Sequence, residues 1–187
     1  MRSEKITAII LAGGASRRMG NRDKAWSYYH GKPMIQHVID TIGPQVDHIV
    51  ISCSEKSARL YSLPYPYCID TEPGFKGPLT GIASCATYIN TEHVFVVPCD
   101  MPLLPSDIVQ RLKDTLGSNL MAIPNDGTRN QHLVFLCKLQ VIDSIIYYLA
   151  SGEKSVIGWV SRQSPVTADF TADAEAFLNV NTSAQLC

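Results

Sequence analysis

Residues 11–20, which read LAGGASRRMG, are the part of the sequence whose residue types and spacing most directly indicate chemistry. Their two adjacent glycines let backbone N–H groups approach phosphate oxygens without an intervening Cβ, and their serine adds a hydroxyl donor. Positive charge for a polyphosphate comes from Arg17, Arg18 and Lys24. The spacing matches neither GxGxxG nor GxxxxGK followed by Ser or Thr, which argues against a dinucleotide fingerprint and the common P-loop. The segment therefore predicts a phosphate-binding loop of another kind; the alternative is a surface turn that happens to contain these residues.

Two aspartates, Asp70 and Asp100, directly follow predicted strands and are candidate ligand-binding residues. Mg²⁺ prefers carboxylate, water and phosphate oxygens, so one aspartate at a strand end together with a triphosphate forms an ordinary magnesium site. Asp100 lies between Pro98 and Pro102, which stiffen the turn that aims it. Either aspartate could instead be a turn or helix-capping residue. We expect Asp100 to ligate Mg²⁺.

The sequence contains no convincing Ser-His-Asp or Cys-His arrangement, and its five histidines show no metal-binding spacing. A missing base is compatible with catalysis if the attacking group is itself a phosphate. Such a nucleophile needs little deprotonation at neutral pH because its second pKa is near 6. The work of such a site is positioning and charge neutralisation, for which no dedicated base is required. His132, in a predicted loop, is either a ligand-binding residue or a loop histidine with a structural partner.

Alternating strands and helices must position these residues. Apolar runs predict strands at residues 7–11, 48–52, 65–69, 94–97, 120–123 and 133–137. Helical spacing of apolar residues predicts helices behind Pro33, around residues 82–89, behind Pro105, and at residues 139–149, where Ile146 is assigned to the buried face. This order indicates a three-layer α/β fold, Rossmann-like, with a mostly parallel sheet and helices on both faces. Because such sheets bind ligands at the carboxyl ends of their strands, the glycine pair, Asp70 and Asp100 should line one crevice.

The bulk properties restrict the classes of function. A chain of 187 residues suits one domain, and a net charge of -1 argues against broad binding to nucleic acid. No apolar run is long enough to predict a membrane-spanning helix. The six cysteines form no CxxC pair, so we expect small buried hydrophobic residues in a reducing compartment and a cytoplasmic location.

Residues 11–20, followed by Asp23 and Lys24, resemble LAGGxSxRMGxxDK, the signature of the molybdenum cofactor guanylyltransferases in the nucleotide-diphospho-sugar transferase superfamily. Further matches follow in the same order along nearly the whole chain: residues 31–35 (GKPMI), 77–82 (GPLTGI), 98–102 (PCDMP) and 179–182 (NVNT). The resemblance implies guanylyl transfer from GTP to the terminal phosphate of molybdopterin, with Mg²⁺ as cofactor and pyrophosphate as the second product.

The resemblance also implies roles for individual residues. The nucleotide would be bound by Leu11, Ala12, Gly13, Gly14, Lys24, Ser52, Asp70 and Asp100; catalysis would involve Arg18, Lys24 and Asp100; and the acceptor would be bound by His132, Asn179 and Asn181. Many cytidylyl relatives have alanine where this chain has Gly14, which favours guanine. Where the family commonly has asparagine, this chain has Ser52.

The resemblance further implies a single nucleotidyltransferase domain, residues 1–187, whose nucleotide-binding half is about 1–102 and whose acceptor-binding half is about 103–187. We expect a monomer, with other molybdenum-cofactor assembly proteins as partners. Three alternatives remain: a cytidylyl or sugar-phosphate nucleotidyltransferase, a NAD-dependent dehydrogenase, disfavoured by the missing GxGxxG, and a non-catalytic nucleotide-binding module.

Overall fold

The chain forms a twisted sheet whose central strands are buried on both faces. The structure, a computed structural model, describes residues 4–13, 24–53, 60, 62–69 and 77–178. In this part of the chain the sheet has seven strands: β1 (Ile6–Leu11), β4 (His48–Cys53), β5 (Tyr67–Ile69), β6 (His93–Pro98), β7 (Met121–Asn125), β8 (Phe135–Lys138) and β9 (Val166–Asp169). Two short strands, β2 (Tyr28–Tyr29) and β3 (Lys32–Pro33), pair separately as a hairpin.

The strand order places a crevice beside β1. The order across the sheet is β5-β4-β1-β6-β8-β7-β9, and β8 alone among these seven runs antiparallel to its neighbours. The chain builds outward from β1 through β4 to β5, and then returns to the other side of β1 with β6. This reversal is the switch in strand order at which parallel α/β sheets bind ligands. The predicted mostly parallel, three-layer α/β fold is confirmed.

Helices cover both faces because the strands present apolar side chains alternately to each. The helices α1 (Met34–Ile42) and α3 (Ile108–Leu116) lie on one face, and α2 (Pro78–Ser84), α4 (Leu139–Ala150) and α5 (Val156–Arg162) lie on the other. The β1 strand shows the alternation, since Ile10 packs on the face covered by α1 and α3, and Leu11 packs on the face covered by α2, α4 and α5.

The helix behind Pro33 forms as predicted. Pro33 is the residue before α1, and all five apolar residues assigned to its inner face are buried: Met34, Ile35, Val38, Ile39 and Ile42. The helix behind Pro105 likewise buries its predicted face as α3. No helix within the described ranges is both long and apolar enough to cross a membrane.

Other elements differ from the sequence-based predictions. The α2 helix ends at Ser84, and residues 86–88 continue as a 3-10 helix rather than as the predicted α-helix. The strand predicted at residues 65–69 begins only at Tyr67, because Pro66 has no N–H and contributes only its carbonyl, which accepts from the N–H of Ile51 at 3.0 Å. The buried assignment of Ile146 is wrong, since this side chain is 56% exposed. The α5 helix and β9 were not predicted.

Candidate nucleotide-binding site

The backbone that follows β1 is held on both sides at the carboxyl edge of the sheet. The N–H of Ala12 donates to the carbonyl of Ser52 at 2.7 Å, and the carbonyl of Leu11 accepts from the N–H of Cys99 at 3.1 Å. These two bonds continue the β1–β4 and β1–β6 ladders beyond the end of β1. The first residues of the predicted phosphate-binding loop therefore leave the sheet in a defined direction.

Gly13 and Asp100 leave the sheet side by side. Leu11 pairs with Pro98 in the β1–β6 register, and the bond from Cys99 extends this pairing by one residue. Asp100 follows immediately and is half-buried, while Gly13 is exposed. The structure thus brings two of the predicted site residues, Gly13 and Asp100, together at one edge of the sheet.

Ser52 contributes to this edge through its main chain, while its side chain faces α2. The residue is only 4% exposed, and a Cβ placed on Gly81 would lie 2.4 Å from the Ser52 hydroxyl oxygen. The hydroxyl also forms a hydrogen bond with the thiol of Cys85. Among the described residues, Ser52 therefore contacts the start of the loop through its carbonyl, which accepts from the N–H of Ala12.

The described cysteines behave as buried apolar residues. Cys53, Cys68, Cys85, Cys99 and Cys137 are all buried, as predicted, and Cys187 lies outside the described residues. The hydrogen bond with Cys68, together with burial, raises the pKa of Cys85, and burial raises the pKa of Cys137, so both thiols stay uncharged. Within the described ranges no group of three or more His, Cys, Asp or Glu residues is placed to hold a metal ion.

Lys24 begins a short 3-10 helix, Lys24–Trp26, whose buried Ala25 packs in the same core as α1. The carbonyl of the neighbouring Ser27 accepts from the N–H of Met34 at 2.9 Å, which joins this turn to the start of α1.

Five of the predicted site residues lie outside the described residues: Gly14, Arg18, Asp70, Asn179 and Asn181.

The loop between β7 and β8, residues 126–134, contains His132, which is half-buried. The loop is organised around the carboxylate of Asp126, a residue only 7% exposed. One oxygen, Oδ1, accepts from the N–H and hydroxyl of Thr128 and from the N–H of Arg129, at 2.6 to 2.8 Å. The other, Oδ2, accepts from Nε2 of Gln131 at 2.6 Å. These hydrogen bonds, led by that from the Thr128 hydroxyl, hold the pKa of Asp126 well below its usual range, so the carboxylate is ionised.

The same loop contacts the segment that leads to the carboxyl terminus. The N–H of Phe170 donates to the carbonyl of Asn125 at 2.8 Å. Gly127 has a φ of +89°, and a Cβ placed there would lie 2.9 Å from a methyl carbon of Thr171. Thr171 begins the 3-10 helix Thr171–Phe177, which precedes the predicted acceptor residues Asn179 and Asn181. The loop with His132 and this helix therefore belong to one packed unit.

Sequence analysis did not identify Asp126 or Gln131. The letters NDGT at residues 125–128 are a turn signature, and they would have located the turn. They do not reveal that the Asp126 carboxylate is buried with four hydrogen-bond donors around it, because the Gln131 side chain reaches it only once the loop has folded back on itself.

A family comparison and two curated relatives describe the same kind of protein. The model of the MobA-like NTP transferase domain matches residues 8–166, well over half of the chain. A molybdenum cofactor guanylyltransferase of Shewanella woodyi is 40% identical over 185 residues, covering 98% of this chain and 94% of that protein. A protein of the same name from Shewanella loihica is 39% identical over 185 residues, with the same coverage of both chains.

Solved structures share the fold at low sequence identity. The molybdopterin-guanine dinucleotide biosynthesis protein A of Archaeoglobus fulgidus has a TM-score of 0.78 at 20% identity and covers 96% of this chain and 94% of its own. A 4-diphosphocytidyl-2C-methyl-D-erythritol synthase of Anaerococcus prevotii has a TM-score of 0.71 at 12% identity and covers 98% of this chain and 95% of its own. At these identities the two likenesses establish the fold alone.

Proposed function

Since this chain belongs to the MobA-like NTP transferase family, we propose that it transfers a guanylyl group from GTP to the terminal phosphate of molybdopterin, with release of pyrophosphate. The observation that carries the proposal is the arrangement at the carboxyl edge of the sheet. There the Leu11-Ala12-Gly13 backbone emerges beside Asp100. The names of two curated relatives, at 39% and 40% identity, support guanylyl transfer in particular.

The nucleotide is bound first through the main chain of residues 11–14. Because the N–H of Ala12 is already bonded to Ser52, the groups offered to the base begin with the Ala12 carbonyl. Guanine carries donors at its exocyclic amino group and at N1, and a carbonyl acceptor at this point can bind one of them. Gly14 leaves room for the polyphosphate, Asp70 contacts the nucleotide, and Ser52 acts by holding Ala12.

The residues described around Asp100 fit a magnesium ion. They offer one hard carboxylate and no cluster of nitrogen or sulfur ligands, and Mg²⁺ is commonly bound by one or two carboxylates together with substrate phosphates. When bound, the ion neutralises charge on the polyphosphate. Lys24 and Arg18 add positive charge to the same phosphates, which stabilises the departing pyrophosphate. No residue has to act as a base, because the acceptor phosphate is largely ionised at neutral pH.

The two halves of the chain divide the substrates. Residues of about 1–102 hold the nucleotide, and residues of about 103–187 hold the acceptor through His132, Asn179 and Asn181. We further propose that the protein acts as a monomer in the cytoplasm, where its cysteines stay reduced, and receives molybdopterin from other assembly proteins.

Calorimetric titration with GTP, CTP, ATP and UTP, each with Mg²⁺, is the test of the proposed function. We expect selective binding of GTP, followed by GTP-dependent modification of molybdopterin with stoichiometric pyrophosphate. Replacing Asp100 by Ala should abolish transfer and leave weak metal-independent GTP binding, while Asp143→Ala, at an exposed position on α4, should leave both unchanged.

Other outcomes of the titration and of the Asp100→Ala assay would overturn different parts of the proposal. A preference for CTP would replace the proposal with a cytidylyltransferase on the same fold. Failure to bind any of the four nucleotides would refute the nucleotide-binding site itself. Normal transfer by the Asp100→Ala protein would refute the metal assignment alone.

A further inference from the structure

We propose that Arg129 binds the terminal phosphate of the acceptor and that Asp126 is the positioning residue that presents it. This inference rests on the proposed function, because it concerns the acceptor of the same reaction. It assigns the loop of residues 126–134 a function beyond the contact expected of His132.

The conformation of this loop depends on a single carboxylate. All four donors to Asp126 come from inside the loop: the N–H and hydroxyl of Thr128, the N–H of Arg129, and the side-chain amide of Gln131. Two main-chain bonds close the loop around it, from Asp126 N–H to the Arg129 carbonyl at 3.1 Å and from Gln131 N–H to the Pro124 carbonyl at 2.9 Å. Removing the carboxylate would leave these donors without their acceptor, so the loop would no longer hold a single defined conformation.

The guanidinium of Arg129 projects from this turn into solvent. The side chain is 68% exposed, and its contact in the described structure is between Nε and Asp126 Oδ2 at 3.8 Å. The carboxylate is already satisfied by shorter hydrogen bonds, and therefore competes only weakly for the cation. The two terminal nitrogens of a guanidinium form a planar pair of donors that suits a phosphate.

The loop lies at the edge where the reaction takes place. The β7 strand runs parallel to β6, because both are antiparallel to β8, so residue 126 leaves the sheet at the same edge as Asp100. Phe135, the first residue of β8, pairs with Val96, four residues before Asp100. Residues 126–134 therefore stand beside the end of β6, on the side away from β4.

Charge explains why a cation is needed at this position. The attacking phosphate carries nearly two negative charges at neutral pH, and must approach a triphosphate that is itself strongly negative. Positive charge on the nucleotide side does not hold the acceptor in place. A guanidinium on the neighbouring loop offsets the repulsion and fixes one end of the acceptor.

The test is steady-state kinetics of guanylyl transfer with molybdopterin as the varied substrate. Arg129→Gln should raise the acceptor KM by about 10- to 100-fold, the loss expected for a charged hydrogen bond, with the GTP affinity unchanged. The matched control is Lys138→Gln, which removes one positive charge at the opposite edge of the sheet and should leave the acceptor KM unchanged.

The positioning role is tested with two substitutions of Asp126. Asp126→Ala should raise the acceptor KM to a similar extent, because Arg129 is no longer presented. Asp126→Asn should restore most of the affinity: its amide oxygen can accept the three bonds now made to Oδ1, and Gln131 can turn its amide to accept from the new N–H₂ group. A role in stability alone would instead lower activity and melting temperature together and leave both KM values unchanged.

An unchanged acceptor KM in Arg129→Gln would overturn the inference, and this surface variant does not depend on the folding of the loop. An unchanged acceptor KM in Asp126→Ala would overturn the positioning role. Both results presuppose an active wild-type protein that binds GTP, and failure at that earlier step would refute the proposed function and, with it, this inference.

Discussion

At the scale of single residues, the candidate site depends on which atom of a residue faces the ligand. The carbonyl of Ser52 holds the loop after β1, while its hydroxyl lies in the opposite direction, between Gly81 and Cys85. Gly81 is thereby required on packing grounds, since any larger residue would meet the hydroxyl. Residues 77–81 (GPLTG), at the start of α2, thus pack against the side chain of Ser52.

Replacing Gly81 by Ala should destabilise the protein by about 1–3 kcal/mol, the usual cost of overpacking a well-packed site. The added Cβ would lie 2.4 Å from the Ser52 Oγ atom but 3.6 Å from its Cβ. The double variant Ser52→Ala with Gly81→Ala should therefore recover most of this loss. Urea unfolding of both single variants, the double variant and the wild type measures the coupling, and full stability in Gly81→Ala would contradict the close packing of Gly81 against the Ser52 hydroxyl.

At the scale of elements, α4 shows how packing selects one face of a helix that is apolar almost all round. Its buried residues are Val141, Ile142, Ile145 and Tyr148. Tyr148 is fixed by its hydroxyl, which donates to the carbonyl of Ser155 at 3.0 Å, just before α5. With this face packed, Ile146 lies on the outer side of the helix, where its side chain is 56% exposed.

Two adjacent isoleucines on α4 should respond differently to truncation. Ile145→Ala should cost about 2–5 kcal/mol, because Ile145 is fully buried and its removal leaves a cavity. Ile146→Ala should change stability by no more than about 0.5 kcal/mol, because that side chain is mostly in water. Chemical denaturation of the two variants provides the comparison, and equal losses would place both residues in the core.

At the scale of the whole molecule, the amino-terminal edge of the sheet is distinguished by a buried histidine. His93 begins β6, is 7% exposed, and has a ring Nδ1 with no hydrogen-bond partner among the described residues. Burial lowers the pKa of His93, because the charged imidazolium would lose its hydration. The native state therefore favours the neutral ring.

The stability of the whole protein should consequently fall as the pH drops below the ordinary histidine pKa of about 6.5. The unfolded state takes up the proton first, so the native state is fully stable above that pH. Below it the native state loses up to about 1.4 kcal/mol per pH unit, until His93 is protonated in the native state as well. Thermal or urea unfolding between pH 7.5 and pH 5 measures this slope. His93→Gln should flatten it, and an unchanged slope in that variant would assign the effect to other groups.

Elements whose signals lie within a few neighbouring residues could be predicted without a structure. The apolar runs of β1, β4 and β6 and the five-residue inner face of α1 could be read directly, because burial on both faces or on one helical face imposes a recognisable period. The α/β class and the position of Asp100 after a strand follow from the same kind of signal. The predicted roles of Gly14, Arg18, Asp70, Asn179 and Asn181 remain predictions.

Features that depend on residues far apart in the chain could not be predicted in this way. The antiparallel direction of β8, the orientation of the Ser52 hydroxyl towards Gly81, and the outward rotation of Ile146 have no local signature. The burial of Asp126 is similar, since it requires the loop to fold back until Gln131 reaches the carboxylate. Each of these features depends on which surfaces pack together in the folded chain. The pattern of a single sequence does not reveal that packing.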